Sequence, residues 1–246
     1  MPDTSITIRT RDGDCPAHFL TPADEGRWPA VVFFGDAGGM RPAMVAMARR
    51  LADAGYAVLL PDPFYRFGPY EPLVPVEVFA GDVAAILGPL MATSGNPRAA
   101  EDTPAFLAWL DAHEQVDAAR LGAVGFCMGS GMALTAAGTV PSRFAAVASF
   151  HGGHLATDDE ASPHLLADRL QAEVYIAAAD QDASYPPAMA ERLENALAEA
   201  GVDCTSETYV GAAHGWMVLD FPVYDPVAAE HGWRAMLALF ERRLRG

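Results

Sequence analysis

The sequence predicts an α/β fold: a central, mostly parallel sheet of about eight strands, flanked by helices on both faces. Two observations carry this. Strand-like apolar runs alternate with helix-spaced segments along the whole chain. The run Ala30–Phe34 is continuously apolar instead of alternating, as a strand covered on both faces should be, and Leu121–Phe126 and Ala145–Phe150 read as further buried strands. No internal repeat or low-complexity linker interrupts the alternation. Residues 1–246 therefore read as one domain, long enough to bury a substantial core.

In order, Ser5–Thr10 and Ala17–Thr21 read as a hairpin turning at Asp12-Gly13. Ala30–Phe34 is a buried strand, followed by the loop Gly35-Asp36-Ala37-Gly38-Gly39. A helix then starts near Pro42, carries Met44, Met47, Ala48 and Leu51 at helical spacing, and stops at Gly55. Ala57–Leu60 is a strand closed by Pro61-Asp62-Pro63, and residues 64–76, rich in aromatics and proline, read as a loop above the sheet. Residues 77–91 and 98–113 are expected to be two helices separated by Ser94-Gly95-Asn96-Pro97. The strands Leu121–Phe126, Ala145–Phe150, Val174–Ala178 and Thr205–Val210 follow, with a short helix at 163–171 and a longer one from Pro187 to Ala200. Asp225-Pro226 caps a final helix with Trp233, Met236, Leu237, Phe240 and Leu244 on one face.

Composition excludes several classes. Hydrophobic residues are 51 % and charged residues 20 % of the chain, which fits neither a disordered segment nor a coiled coil. A formal net charge of −16 argues against nucleic acid and against anionic membrane surfaces as partners. No stretch approaches the ~18 apolar residues of a membrane-spanning helix. Met1-Pro2-Asp3-Thr4 shows no basic segment leading into an apolar one, so no leader is expected. Cys15, Cys127 and Cys204 are odd in number and far apart, so neither a disulfide framework nor a metal knuckle reads from them. A reducing cytoplasm is the expected location.

The segment Gly125-Phe126-Cys127-Met128-Gly129 joins an apolar strand to a small-residue helix, Ser130–Ala137. This is the setting of a nucleophile elbow, with cysteine in the position of the nucleophile. The flanking glycines let strand and helix pass closely, and the sulfur faces the positive end of the helix, which favours a thiolate. Two further loops complete the chemistry. Ala178-Ala179-Asp180-Gln181-Asp182 ends a strand, and Gly211-Ala212-Ala213-His214-Gly215 ends the last one. Nucleophile, acid, histidine is the order of α/β-hydrolases. His214 would take and return the proton while a carboxylate fixes its tautomer. Asp182, four residues before Pro186 in an Asp-x-x-x-Pro turn, is preferred as that carboxylate; Asp180 would instead bond backbone amides.

Pro29–Asp36, the cysteine elbow, the Asp182 turn and the His214 loop together resemble the dienelactone hydrolase family, over about residues 5–244. The resemblance implies an α/β-hydrolase with a Cys–His–Asp triad that cleaves a small carboxylic ester or lactone through a cysteine acyl-enzyme, with no cofactor and no metal. It implies an oxyanion hole made by the backbone N–H groups of Met128 and Ala37. It also implies that Asp36, where better-known members carry glutamate, holds the resting thiol neutral. Members acting on the anionic lactone carry an arginine shortly after the triad histidine. Here the loop reads Gly215-Trp216-Met217-Val218-Leu219, without a cation. Phe64, Tyr65, Tyr185 and Trp216 are therefore expected to line a more apolar pocket, with His151 at its edge and Arg41 or Arg66 as a cation from another loop. A thioesterase or acyltransferase on the same intermediate, and a silent ligand binder, are the competing readings. A monomer or homodimer is expected.

Several of these residues have plainer readings. Asp36 suits bracing of the Gly38-Gly39 turn. His151 and His154, three apart in a glycine loop with no third ligand, are a weak metal signal. Ser130 should satisfy local backbone, and Cys15 and Cys204 read as spectators.

Overall fold

The computed structural model describes residues 3–246; Met1 and Pro2, which form part of the segment read for a leader, lie outside the described residues. Eight strands form one sheet in the order β1-β2-β4-β3-β5-β6-β7-β8. They are β1 (Asp3–Arg9), β2 (Asp14–Leu20), β3 (Trp28–Phe34), β4 (Ala57–Pro61), β5 (Val116–Phe126), β6 (Phe144–Phe150), β7 (Glu173–Gln181) and β8 (Cys204–Ala213). β2 pairs antiparallel with both β1 and β4; the pairings from β4 through β8 are parallel. The β1–β2 turn closes where expected, Thr10 N–H donating to the Gly13 carbonyl at 2.9 Å. This is the α/β-hydrolase fold. Among the described residues no helix is long and apolar enough to cross a membrane.

Alternation within the central strands divides the core. Val31 and Phe33 face the helices α1 (Pro42–Asp53) and α7 (Pro226–Phe240), meeting Met44, Met47 and Leu51 from the first and Trp233, Met236 and Phe240 from the second. Val32 and Phe34 face the other layer, built from α4 (Asn96–Ala112), α5 (Met128–Thr139) and α6 (Pro187–Glu199). Both faces of the sheet are covered, which is why Ala30–Phe34 reads as an unbroken apolar run. Asp225 caps α7, its carboxylate accepting from the Val227 and Ala228 N–H groups.

One expected element is corrected. Residues 77–91 are not one helix but two, α2 (Pro75–Ala80) and α3 (Val83–Met91). Gly81 is extended, and the Asp82 carboxylate accepts from Ala85 N–H, so the chain stops and restarts with a new N-cap. The short helix expected at 163–171 is a 3₁₀ helix over Pro163–Arg169.

Register places the functional loops together. Phe34 pairs with Gly125, Phe126 with Phe150, and Phe150 with Ala177. At the far side Gln181 pairs with Ala213, after an irregularity between Ala179 and Gln181. The residues just beyond these ends, Asp36, Cys127, His151, Asp182 and His214, therefore emerge along one edge of the sheet, where ligands bind in such folds.

Candidate active site

Cys127 stands between β5 and α5 with φ +53°, a left-handed conformation that costs a non-glycine residue energy and is held by its surroundings. Those surroundings need the two elbow glycines. A Cβ on Gly129 would run into the carbonyl oxygens of Phe34 and Gly35, and one on Gly125 into the backbone of Gly129. Ser130 donates at 3.0 Å to the carbonyls of Gly125 and Phe150, the local backbone role expected of it.

The thiol sulfur lies 3.0 Å from His214 Nε2. His214 Nδ1 donates to Asp182 Oδ2 at 2.6 Å. The other oxygen, Oδ1, accepts from Ser184 N–H at 2.8 Å and Ser184 Oγ at 2.6 Å. Burial pushes the imidazolium of His214 down, but the bond to Asp182 and the neighbouring sulfur outweigh it and raise its pKa to about 10. Desolvation pushes Asp182 up, and its bonds to His214 and Ser184 more than reverse that, leaving it below the usual carboxylate range. Asp180 is elsewhere: its Oδ2 accepts from Gly211 N–H at 2.9 Å across the strand pair.

Met128 is the first residue of α5, so its N–H has no acceptor within the helix. In the β3–α1 loop, Gly38 N–H donates to Asp36 Oδ1 and Gly39 N–H to the Asp36 carbonyl, while Ala37 N–H has no protein acceptor among the described residues. Ala37, Met128, Cys127 and His214 all line one cavity of about 420 Å³.

Two groups of residues are not where the sequence reading puts them. Asp36 makes no hydrogen bond to Cys127. It is fully buried, and its two oxygens are taken by Arg41 Nη1 at 2.6 Å and Nη2 at 2.9 Å. Arg41 also reaches Asp220, with Nε and Nη2 donating at 2.8 and 2.9 Å. The short aspartate side chain and a guanidinium five residues on explain the difference: the plainer role, bracing the turn, is the one seen. The guanidinium is held still more firmly protonated by the two carboxylates, against the effect of burial.

The second group is the expected pocket. Phe64, Tyr65, Arg41, His151, Tyr185 and Trp216 do not line the cavity. Phe64 and Trp216 are fully buried, Trp216 stacking on Tyr209 at 4.2 Å. Tyr65 donates to Asp102, and Arg66 is paired with Asp12 and Asp102. Tyr185 sits in the core beneath the Asp182 turn. His151 lies edge-on behind His214, ring centroids 5.4 Å apart, and burial drives its pKa well down, so it is neutral. The walls come instead from the segment leading into α2, from α2 and α3, and from the loop after His214: Leu73, Val78, Phe79, Leu87, Met91 and Phe221. A signal for this was present. α3 reads Val-Ala-Ala-Ile-Leu-Gly-Pro-Leu-Met, with no polar face, yet Val83 and Ile86 are exposed; a helix apolar all round is one that covers something.

The model of the dienelactone hydrolase family matches residues 15–244. The chain belongs to the dienelactone hydrolase family. It is 27 % identical over 241 residues to a Methylorubrum extorquens protein described as "Putative carboxymethylenebutenolidase", covering 96 % of this chain and 80 % of that protein. It is 26 % identical over 245 residues to a Bradyrhizobium protein described as "Probable 2-oxo-3-(5-oxofuran-2-ylidene)propanoate lactonase", covering 98 % of this chain and 94 % of that one. The structure of "Putative Dienelactone Hydrolase" from Klebsiella pneumoniae superposes with a TM-score of 0.86 at 24 % identity, over 98 % of each chain. Membership of the dienelactone hydrolase family makes the protein a hydrolase of that type.

Proposed function

We propose that this hydrolase cleaves a carboxylic ester or lactone through a thioester on Cys127. The observation that carries the proposal is the unbroken chain from the Cys127 sulfur through His214 to Asp182, opening on a cavity beside two unengaged backbone N–H groups.

His214 takes the Cys127 proton, and the two side chains form the reactive pair. The sulfur attacks the carbonyl carbon, the C–S bond forms, and the carbonyl π electrons move to oxygen. The Met128 and Ala37 N–H groups bind that oxyanion, a contact of the kind worth ~3 kcal/mol in the transition state. As the tetrahedral centre collapses, the ester C–O bond breaks and the His214 proton passes to the departing alkoxide. Water then attacks the thioester, giving one proton to His214, and the acid leaves as the C–S bond breaks. Asp182 holds the imidazole in one tautomer and supports its positive charge throughout. Arg41 and Asp36 act one step back, fixing the loop that presents the Ala37 N–H.

Acid-quenched mass spectrometry during turnover of a p-nitrophenyl ester tests the reading. An acyl mass on the peptide carrying Cys127 is expected; turnover with unmodified Cys127 and an acyl mass elsewhere would refute it.

The proton inventory sets the pH profile. His214 must be protonated when the alkoxide leaves, so kcat/KM is expected to decline as pH rises through about 10. In Asp182→Asn the carboxylate that raises His214 is gone, so the imidazolium is lost at lower pH. The alkaline limb should move down by roughly 1–3 pH units. A limb that stays in place would show that Asp182 does not support the imidazolium.

A further inference from the structure

The cavity has two chemically different ends. One is walled by Leu73, Val78, Phe79, Leu87, Met91 and Phe221, with Phe79 and Phe221 edge-to-face at 5.1 Å. No lysine or arginine lines it among the described residues. Arg41, whose guanidinium lies 5.5 Å from the Phe221 ring, is buried and committed to Asp36 and Asp220. A carboxylate placed at this end would lose its hydration and gain no partner, whereas each methylene buried there strengthens binding by roughly fourfold.

The other end is polar. Asn96 and His154 line the cavity and also a neighbouring open hollow of about 460 Å³, which Thr157, Asp159 and Ser162 complete. His154 is exposed, carries φ +55°, and its ring makes no hydrogen bond to protein among the described residues. Its conformation is held from behind by its own N–H, which donates to the Ser184 carbonyl at 2.8 Å. Strain of this kind in a non-glycine residue collects at functional positions.

Ser184 ties this end to the triad: its carbonyl accepts from His154 N–H, and its hydroxyl bonds Asp182 and lies 3.4 Å from His214 Nδ1. A polar alcohol suits this end, and an uncharged acyl group suits the apolar walls.

We propose that the substrate is an ester of an uncharged, apolar acyl group with a polar, hydroxyl-bearing alcohol, and that His154 and Asn96 select the alcohol. This rests on the esterase reading above. The ester C–O bond breaks with the His214 proton going to the alcohol oxygen, as already described.

The test compares ethyl hexanoate, monoethyl adipate and 1-hexanoylglycerol as substrates. The wild type is expected to prefer ethyl hexanoate to the equally long but anionic monoethyl adipate by at least about 100-fold in kcat/KM, and Leu87→Arg to narrow that ratio. It is expected to prefer the glyceryl to the ethyl ester by about tenfold, and His154→Ala to bring that ratio near one. Equal use of the neutral and anionic esters, or a glyceryl preference unchanged in His154→Ala, overturns the proposal. A second readout does not depend on hydrolysis: alkylation of Cys127 by N-butyl iodoacetamide against iodoacetate, each normalised to a free thiol. If no ester turns over yet the neutral reagent is favoured and Leu87→Arg abolishes the preference, the esterase reading fails while the apolar end stands. If both reagents react alike, the apolar end itself is refuted.

Discussion

Replacing Cys127 by alanine is expected to lower ester turnover by roughly 10⁴-fold or more while leaving the fold intact, since losing the nucleophile of a Ser/Cys-type triad costs about that much. Among the described residues the sulfur is the hydrogen-bond partner of His214 Nε2, at 3.0 Å, and no other nucleophilic side chain of the elbow meets it. Folding should survive because alanine adopts φ +53° no less readily than cysteine and because the side chain is only half-buried. Steady-state kinetics with matched thermal melts checks both halves. Turnover within tenfold of wild type would sink the nucleophilic mechanism. Cys127→Ser should also be severely impaired: a hydroxyl ionises far less readily than a thiol, so the imidazole would need a stronger pull on the proton during attack.

Much of this site was legible because it is local. The elbow depends on two glycines at fixed spacing, and the structure shows why: a side chain at Gly129 has no room against the end of β3. Chain order then named the acid and histidine loops. The choice between Asp180 and Asp182 was less secure, because residues two apart share one face of a regular strand. The irregularity between Ala179 and Gln181 separates them, turning Asp180 to Gly211 N–H and leaving Asp182 at the strand end facing His214.

The pocket was illegible for the opposite reason. Its walls come from helices between β4 and α4 that reach across the sheet edge, and no local spacing announces where such an excursion lands. Counting aromatics near the loops favoured Phe64, Tyr65, Tyr185 and Trp216, yet large rings are core material first. Trp216 serves the core against Tyr209 and Phe150. The residues that do line the cavity looked ordinary, Leu73 and Leu87 among them.

Arg41→Ala is expected to be the most destabilising single change at the site, costing about 3–5 kcal/mol, the range for removing one partner of a buried ion pair. Arg41 and Asp36 are both essentially inaccessible, with side-chain exposures of 1 % and 0 %. Without the guanidinium, the fully buried Asp36 side chain keeps, among the described residues, only the Gly38 N–H as a donor. For a chain of this size the loss should lower Tm by roughly 10 °C. Asp220→Ala should cost far less, about 1 kcal/mol or below, because Asp220 is 33 % exposed and Arg41 would keep Asp36. The order of the two variants is therefore diagnostic. If Arg41→Ala melts near wild type, the pair is not the anchor of the loop. If it melts early and, at a temperature where it is still folded, kcat falls more than KM rises, the Ala37 N–H has been displaced from where the oxyanion forms. That outcome makes Asp36 a fixed counter-charge holding the oxyanion loop, in a family whose resemblance had assigned it to the thiol.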